Sequence, residues 1–435
     1  MGSKNREMKA RIGYLVPEFP GQTHTWIWRE RRALEQLGIE ADLVSTRRPK
    51  LVRHEWAEQA MSLTHYLVPF SRRDVSETVK ALLRAGPKAL ARCLLVPLEV
   101  KDVKLKQRLR LAALVVVAGR FAALARERGW TQLHVLSAGD AAHVAAFASA
   151  LTGINYSLTL LASLEGYGPN QREKWRDASF ALVMSRRLLA EVEEQLGDVA
   201  PERIWIAPMG VDLEQAQRAA PYQPWQAGDV ARIYTCGRLH PVKGHRYLLE
   251  AIALLVQRGR RVRLEIAGGE EGVTGYREAL EAQVRASKLE GSVEFLGSVS
   301  EQRHRQGIEA AHLFVLASLD EGISVAAMEA MAMQTPAVVT DVGGMRELIE
   351  PDVDALMVPS QDAAALAAAI GRVLDEPELA RRLSQASRQK VAREFHHRRG
   401  AEALAEALGI EPRAAATRAG IGHPERPHQG NGKAL

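Results

Sequence analysis

Cysteine is nearly absent: Cys93 and Cys236 stand far apart in a chain of 435 residues. That excludes a disulfide framework and any cysteine-based metal or redox spacing, and it points to a reducing compartment. Aromatic residues make up only 5%, which argues against base-stacking platforms, and no nucleic-acid motif is visible. Long apolar runs are missing as well. The run at residues 12–16, behind a charged start, is too short for the core of a signal peptide. Residues 141–164 are low in charge, but Gly153 and Asn155 interrupt them, so they read as a helix and a strand, not a membrane span. No repeat at solenoid spacing occurs. His396-His397 lies in a polar helical stretch and reads as solvated, so no metal site is expected. What remains is a soluble chain, expected in the cytoplasm. Its length allows two or three domains, and its 46% hydrophobic and 25% charged content is that of ordinary globular proteins.

Charge is present in excess of one sign. The net charge is +6, and residues 71–130 carry fourteen Lys/Arg against five Asp/Glu, interleaved with Leu, Val and Ala. Two readings of this basic helical segment stay open: a solvated insertion, or a surface that docks on an anionic membrane at its inner face. No nucleic-acid partner is expected.

The rest of the chain alternates strand and helix patterns, the signature of an α/β class. Arg11-Ile12-Gly13-Tyr14-Leu15-Val16 reads as a first buried strand, followed by the loop Pro20-Gly21-Gln22-Thr23-His24-Thr25 and a helix ending near Leu37. Further strands are expected at residues 40–45, 132–136, 155–161 and 181–185, and residues 204–212 close the first domain. Residues 213–229, with Pro221, Pro224 and Gly228, read as a linker. Beyond it, the strand at 232–236 runs into Gly237-Arg238-Leu239-His240-Pro241-Val242-Lys243-Gly244. A glycine turn carrying Arg and Lys at a strand end suits phosphate. Leu313-Phe314-Val315-Leu316-Ala317 is a buried strand leading into Ser318-Leu319-Asp320-Glu321-Gly322-Ile323-Ser324 and an Ala/Met-rich helix. Glu321 falls in the turn and Glu329 roughly two turns into the helix. The pair is spaced to hold two hydroxyl-bearing parts of one ligand, with its phosphates at the helix start. The plainer alternative makes Glu321 a helix-start charge and Glu329 a solvated one.

Glu321-x7-Glu329, followed by Pro336-Ala337-Val338-Val339-Thr340-Asp341-Val342-Gly343-Gly344, resembles the signature of family 4 retaining glycosyltransferases of the exopolysaccharide and colanic-acid type. The resemblance is dense over residues 230–375 and looser before. It implies the GT-B fold, two Rossmann-like domains facing across a cleft. The implied division is an acceptor domain at 1–212, the linker at 213–229 and a nucleotide-sugar domain at 230–393. A helix at 394–410 would return to the first domain, with a disordered tail at 411–435. The implied function is transfer of a sugar from a UDP- or GDP-linked donor to a saccharide or lipid-linked acceptor, with no cofactor and no metal. Glu321, Arg238 and Lys243 would act at the reacting sugar and its diphosphate. Glu329 would hold the ribose as a ligand group with little structural load. Gly322, Ile323, Ser324, Gly237, Val299 and Gly21 would line the donor site.

The first half departs from the family pattern. Leu161 stands where many members have a histidine beside the donor sugar, Leu136 where they have the second of a His-x-His pair, and His24 where the N-terminal loop has Glu. Glu165 or His24 would have to substitute. Two other readings therefore stay open: a donor-binding, catalytically weak partner subunit, and a nucleotide-sugar epimerase of the same architecture.

Overall fold

The computed structural model describes residues 10–21, 24–49, 52, 54–100, 104–270 and 273–410. The expected tail at 411–435 and two residues of the Gly21 loop lie outside the described residues.

The first domain alternates strands and helices. Its elements are β1 (Ala10–Glu18), α1 (Thr25–Gln36), β2 (Ile39–Arg47), α2 (Ala57–Leu63), β3 (His65–Tyr66), α3 (Arg72–Glu99), α4 (Leu105–Arg128), β4 (Gln132–Val135), α5 (Asp140–Thr152), β5 (Tyr156–Leu160), α6 (Gln171–Trp175), β6 (Phe180–Val183), α7 (Arg186–Leu196) and β7 (Ile204–Ile206). The second contains β8 (Ala231–Cys236), α8 (His245–Gln257), β9 (Val262–Ala267), α9 (Tyr276–Ala286), β10 (Val293–Gly297), α10 (Glu301–Ala310), β11 (Leu313–Leu316), α11 (Val325–Ala332), β12 (Ala337–Thr340), α12 (Met345–Leu348), β13 (Leu356–Val358), α13 (Ala363–Asp375) and α14 (Pro377–Glu394). The last helix, α15 (Arg398–Ala407), follows.

All strand pairs are parallel. The first sheet has the order β3-β2-β1-β4-β5-β6-β7 and the second β10-β9-β8-β11-β12-β13. Parallel strands are covered by helices on both faces, which is why β4, β5, β6, β11 and β12 are buried along their whole length. Each sheet reverses its winding once, between β1 and β4 and again between β8 and β11. At such a switch point the loops leaving adjacent strands part in opposite directions and open a crevice. The loops carrying Gly21, Gly237–Lys243 and Ser318–Ser324 leave the sheets at these two places. β3 and α2, short and without a clear period, were not legible in the sequence.

The chain returns to the first domain at its end. The backbone N–H of Val211 donates to the Phe395 carbonyl at 2.8 Å, and that of His397 to the Val211 carbonyl at 3.1 Å. Beyond this crossing, α15 buries Ala401, Leu404 and Ala405, spaced i, i+3, i+4, against Trp26, Ile27 and Leu34 of α1. Residues 213–229 are ordered against the second domain: Tyr222 gives its hydroxyl proton to the His312 carbonyl at 2.7 Å, and Arg218 reaches the Glu309 carbonyl at 2.6 Å.

Candidate functional site

Two loops of the second domain lock together at the β8/β11 switch point. The Leu319 N–H donates to the Val242 carbonyl at 2.7 Å. Lys243 Nζ donates to Glu321 Oε1 at 2.6 Å, and Ser318 Oγ donates to the same oxygen at 2.6 Å. Glu321 is buried, so its charge is balanced by the lysine instead of by water. The Gly343-Gly344 turn backs onto this loop: the Gly344 N–H meets the Glu321 carbonyl at 3.0 Å. A Cβ on Gly343, whose φ is +56°, would fall 1.7 Å from that carbonyl oxygen. Only glycine permits this approach.

α11 starts at Val325, capped by Ser324 Oγ, which accepts the Ala327 N–H at 3.3 Å. Glu329 is therefore just over one turn into the helix, nearer its N-terminus than the two turns expected, because residues 321–324 form an irregular turn. Ile323 and Ser324 are buried and Gly322 is half-buried. Arg238 is exposed beside Gly237, and Val299 lies half-buried in the loop between β10 and α10.

Glu329 is already engaged. His304 Nε2 lies 3.0 Å from Glu329 Oε2, and Arg29 of the first domain reaches Glu329 Oε1 at 3.4 Å and Glu301 at 2.6 Å. Trp56 Nε1 donates to the other Glu301 oxygen at 3.0 Å. Burial opposes charge on Glu329, but the His304 hydrogen bond and the His304 and Arg29 charges outweigh it and hold the carboxyl down to about 2. Burial also opposes charge on His304, yet Cys236 and Glu329 carry its pKa well above the ordinary value. Glu329 thus bears structural load, contrary to the expectation of a ligand group free of it. The space left beside it, lined by Arg29, Val211, Ala216, His304 and Met333, measures about 10 Å³, room for about one water. The two domains thus meet directly over Glu329.

Across the cleft, Leu161 sits at the end of β5 with its carbonyl 3.0 Å from where a Cβ of Gly322 would lie. The backbone at Leu161 thus lies next to the Glu321 loop, while its side chain packs against the first domain's cores. Glu347 accepts the backbone N–H groups of Arg186 and Arg187, at 2.7 and 3.0 Å, where α7 begins. Glu165 is exposed on the 3-10 turn Leu164–Tyr167, and its side chain makes no hydrogen bond or ion pair among the described residues. His24 is tucked under Phe19, its ring centroid 6.1 Å away. A Cβ on Gly21 would come within 2.5 Å of its Nδ1. Burial and then the neighbouring His54 push the His24 pKa down to about 4, so it is neutral and faces inward. His134 is a core group: its two ring nitrogens lie 2.9 Å from Ser157 Oγ and 2.9 Å from Thr159 Oγ1. Sequence reasoning missed Arg29, Glu301 and His304. The one available signal was a cation, Arg29, directly following Trp26-Ile27-Trp28 on an otherwise apolar helix face.

Two parallel switch-point sheets with a crossing C-terminal helix define the GT-B fold, and solved structures of that fold superpose on nearly the whole chain. A crystal structure of Anabaena HepE in complex with UDP and glucose matches with a TM-score of 0.70 at 17% identity, covering 92% of this chain and 99% of that one. Residues 231–376 match the family described as Glycosyl transferases group 1, so the second domain is a group 1 glycosyltransferase domain. Among curated proteins, the D-inositol 3-phosphate glycosyltransferase of Saccharomonospora viridis is 32% identical over 51% of this chain and 54% of its own length. The amylovoran biosynthesis glycosyltransferase AmsK of Erwinia amylovora is 33% identical over 48% and 51%. The chain spans about half the length of the curated relatives it matches.

Proposed function

We propose that this chain is a retaining, metal-independent glycosyltransferase. It would move a sugar from a nucleotide-sugar donor to a saccharide or lipid-linked acceptor in polysaccharide or glycolipid assembly. The observation that carries this reading is the junction of Lys243 and Glu321 at the β8/β11 switch point, with Arg238 exposed beside it. As the sugar's anomeric carbon parts from the diphosphate, the bonding electrons stay on the phosphate oxygen. Lys243 and Arg238 would neutralise that charge, and preorganised positive groups at a leaving group lower the barrier. Glu321 and the N–H groups of the 322–324 turn would hold the sugar, while the acceptor hydroxyl bonds to the carbon and passes its proton to the departing phosphate oxygen. Glu329 would bind the ribose, the loop at Val299 the base, and the Gly21 loop would approach the diphosphate. UDP is the first donor to test because the similarly folded HepE holds UDP and glucose; GDP is the second.

Because Arg29 occupies Glu329 in the closed form, ribose binding would require this ion pair to open. Donor entry and domain separation would then be one event, with Arg29 as a latch between them.

One observation favours a second reading. Leu161, whose backbone approaches the Glu321 loop and whose side chain packs against the first domain's cores, has no proton donor to offer the sugar, which suits a donor-binding partner subunit of low activity. Titration calorimetry with UDP- and GDP-sugars, followed by product analysis with and without added acceptors, separates the readings. Binding with transfer or hydrolysis supports the enzyme. Binding without turnover supports the partner subunit, a changed sugar without acceptor supports an epimerase, and no nucleotide binding overturns all three.

A further inference from the structure

The outer face of the α3/α4 hairpin takes no part in the site above. Both helices bury their inner faces in the core around α5, through residues such as Cys93, Leu111, Val115 and Ala118. Their outer faces do not follow the usual surface rule. α4 exposes Leu105, Leu109 and Val116 by 71, 63 and 48%, and α3 exposes Leu83, Leu94 and Leu98 by 76, 46 and 70%. The α4 residues fall at i, i+4 and i+11, one side of a helix. A single exposed leucine needs no explanation, but rows of them on two adjacent helices do.

The charge around these rows is strongly biased. Asp74, Glu77 and Glu127 lie at the base of the hairpin and are paired with Arg120, Lys80 and Arg73. From residue 84 to residue 110 the sequence carries eight Lys/Arg against two acids, Glu99 and Asp102, and Arg84, Lys88, Lys104 and Lys106 are exposed. The end of α3 is tied to α4: Arg108 donates to the carbonyls of Pro97, Leu98 and Val100 at 3.1, 2.7 and 2.7 Å. This end of the hairpin also points toward the cleft. Arg110 pairs at 2.5 Å with Asp140, which opens α5 just past the end of β4, at the first sheet's switch point.

We propose that this face docks on an anionic lipid bilayer. The leucines would enter the headgroup boundary while the lysine and arginine ammonium and guanidinium groups lie among lipid phosphates. A second copy of the chain fits poorly, since two identical basic faces would repel when apposed. Single-stranded nucleic acid is disfavoured because the exposed apolar residues include no aromatic ring. The orientation would place the cleft mouth at the membrane, which deepens the lipid-linked-acceptor reading and rests on it for purpose; the docking itself requires no catalysis.

Cosedimentation of the full chain with vesicles tests this directly. Vesicles of phosphatidylcholine mixed with phosphatidylglycerol should retain the protein at low salt, and pure phosphatidylcholine should retain little. Lys104→Glu with Lys106→Glu should weaken retention by at least about tenfold. Leu98→Ser with Leu105→Ser should leave weak binding at low salt and abolish it at about 0.15 M salt, where only the unscreened apolar part persists. Nucleotide affinity, measured on the same preparations, should be unchanged, showing that each variant is folded. Equal retention by both vesicle types, retention by neither, or variants as well retained as wild type would overturn the proposal. So would variants that lose only self-association in sedimentation velocity. A chain that docks but never transfers sugar leaves this inference standing and rejects the enzyme reading.

Discussion

Each domain of this molecule holds a carboxylate at the interface it shares with another element, and the two are handled in opposite ways. Glu30, on α1 of the first domain, accepts a 2.9 Å hydrogen bond from the Tyr14 hydroxyl. Burial drives its pKa up to about 7, against the modest opposing effect of that bond. Glu329, on α11 of the second, meets burial with two cations, and its pKa falls to about 2. A neutral partner leaves the desolvation penalty standing, whereas cationic partners overcome it. The first domain's acid is thereby held neutral by burial, and the second domain's acid is held charged by its cationic partners.

The same contrast runs through the glycines. Gly343 has φ +56° and backbone pressed against it, while Gly153, at the end of α5, has φ +76° and open space where its Cβ would be. Gly343→Ala should cost about 3 kcal/mol or more through steric conflict with the Glu321 carbonyl. Gly153→Ala should cost only the left-handed strain, about 1–2 kcal/mol. Denaturant titrations of both variants check this, and equal costs would break the contrast between the domains.

Glu329→Ala comes next. It should weaken nucleotide binding at least tenfold, about 1.4 kcal/mol, and also lower the melting temperature, since it leaves His304 and Arg29 without their shared carboxylate. Reduced affinity at an unchanged melting temperature would show the ion pair to be structurally idle.

Glu30→Gln tests the first domain's side of the comparison. A carboxyl whose folded pKa is raised contributes its stability below the unfolded value of 4.5 and loses it as pH rises through about 7. The wild type should therefore lose about 3 kcal/mol across that window, and the glutamine variant should lose less. Parallel stability curves for the two proteins would place Glu30 outside the burial assigned to it.

The smallest expected effect belongs to Arg29→Gln. Releasing Glu329 from the first domain should tighten nucleotide binding about threefold, because an ion pair buried between the domains no longer has to open. Weaker binding instead would mean that Arg29 contacts the nucleotide.

The second domain's site was legible because its parts are local. A strand, a glycine turn with Arg238 and Lys243, and a Glu321-x7-Glu329 stretch each fit within a few consecutive residues, and parallel-strand burial shows as continuous apolar runs. The first domain offered less. Leu161 was identified as a departure, but that its backbone lies beside Gly322 while its side chain packs inward was decided only by folding. Glu165 and His24 were natural substitutes by proximity in the chain. Folding leaves one on an exposed turn and the other facing inward beneath Phe19.

By itself the sequence determined the alternation of strands and helices, the two switch-point loops of the second domain, and the basic character of the hairpin. These depend on hydrophobic period and on residue types in short runs. Only the tertiary structure decided that Arg29 joins Glu301 and Glu329 from 272 and 300 residues away, that Asp74, Glu77 and Glu127 are paired at the base of the hairpin, and that leucines of α3 and α4 face outward. Such pairings depend on how separate helices are carried together by the sheets and by the crossing near Val211, and no local pattern records that.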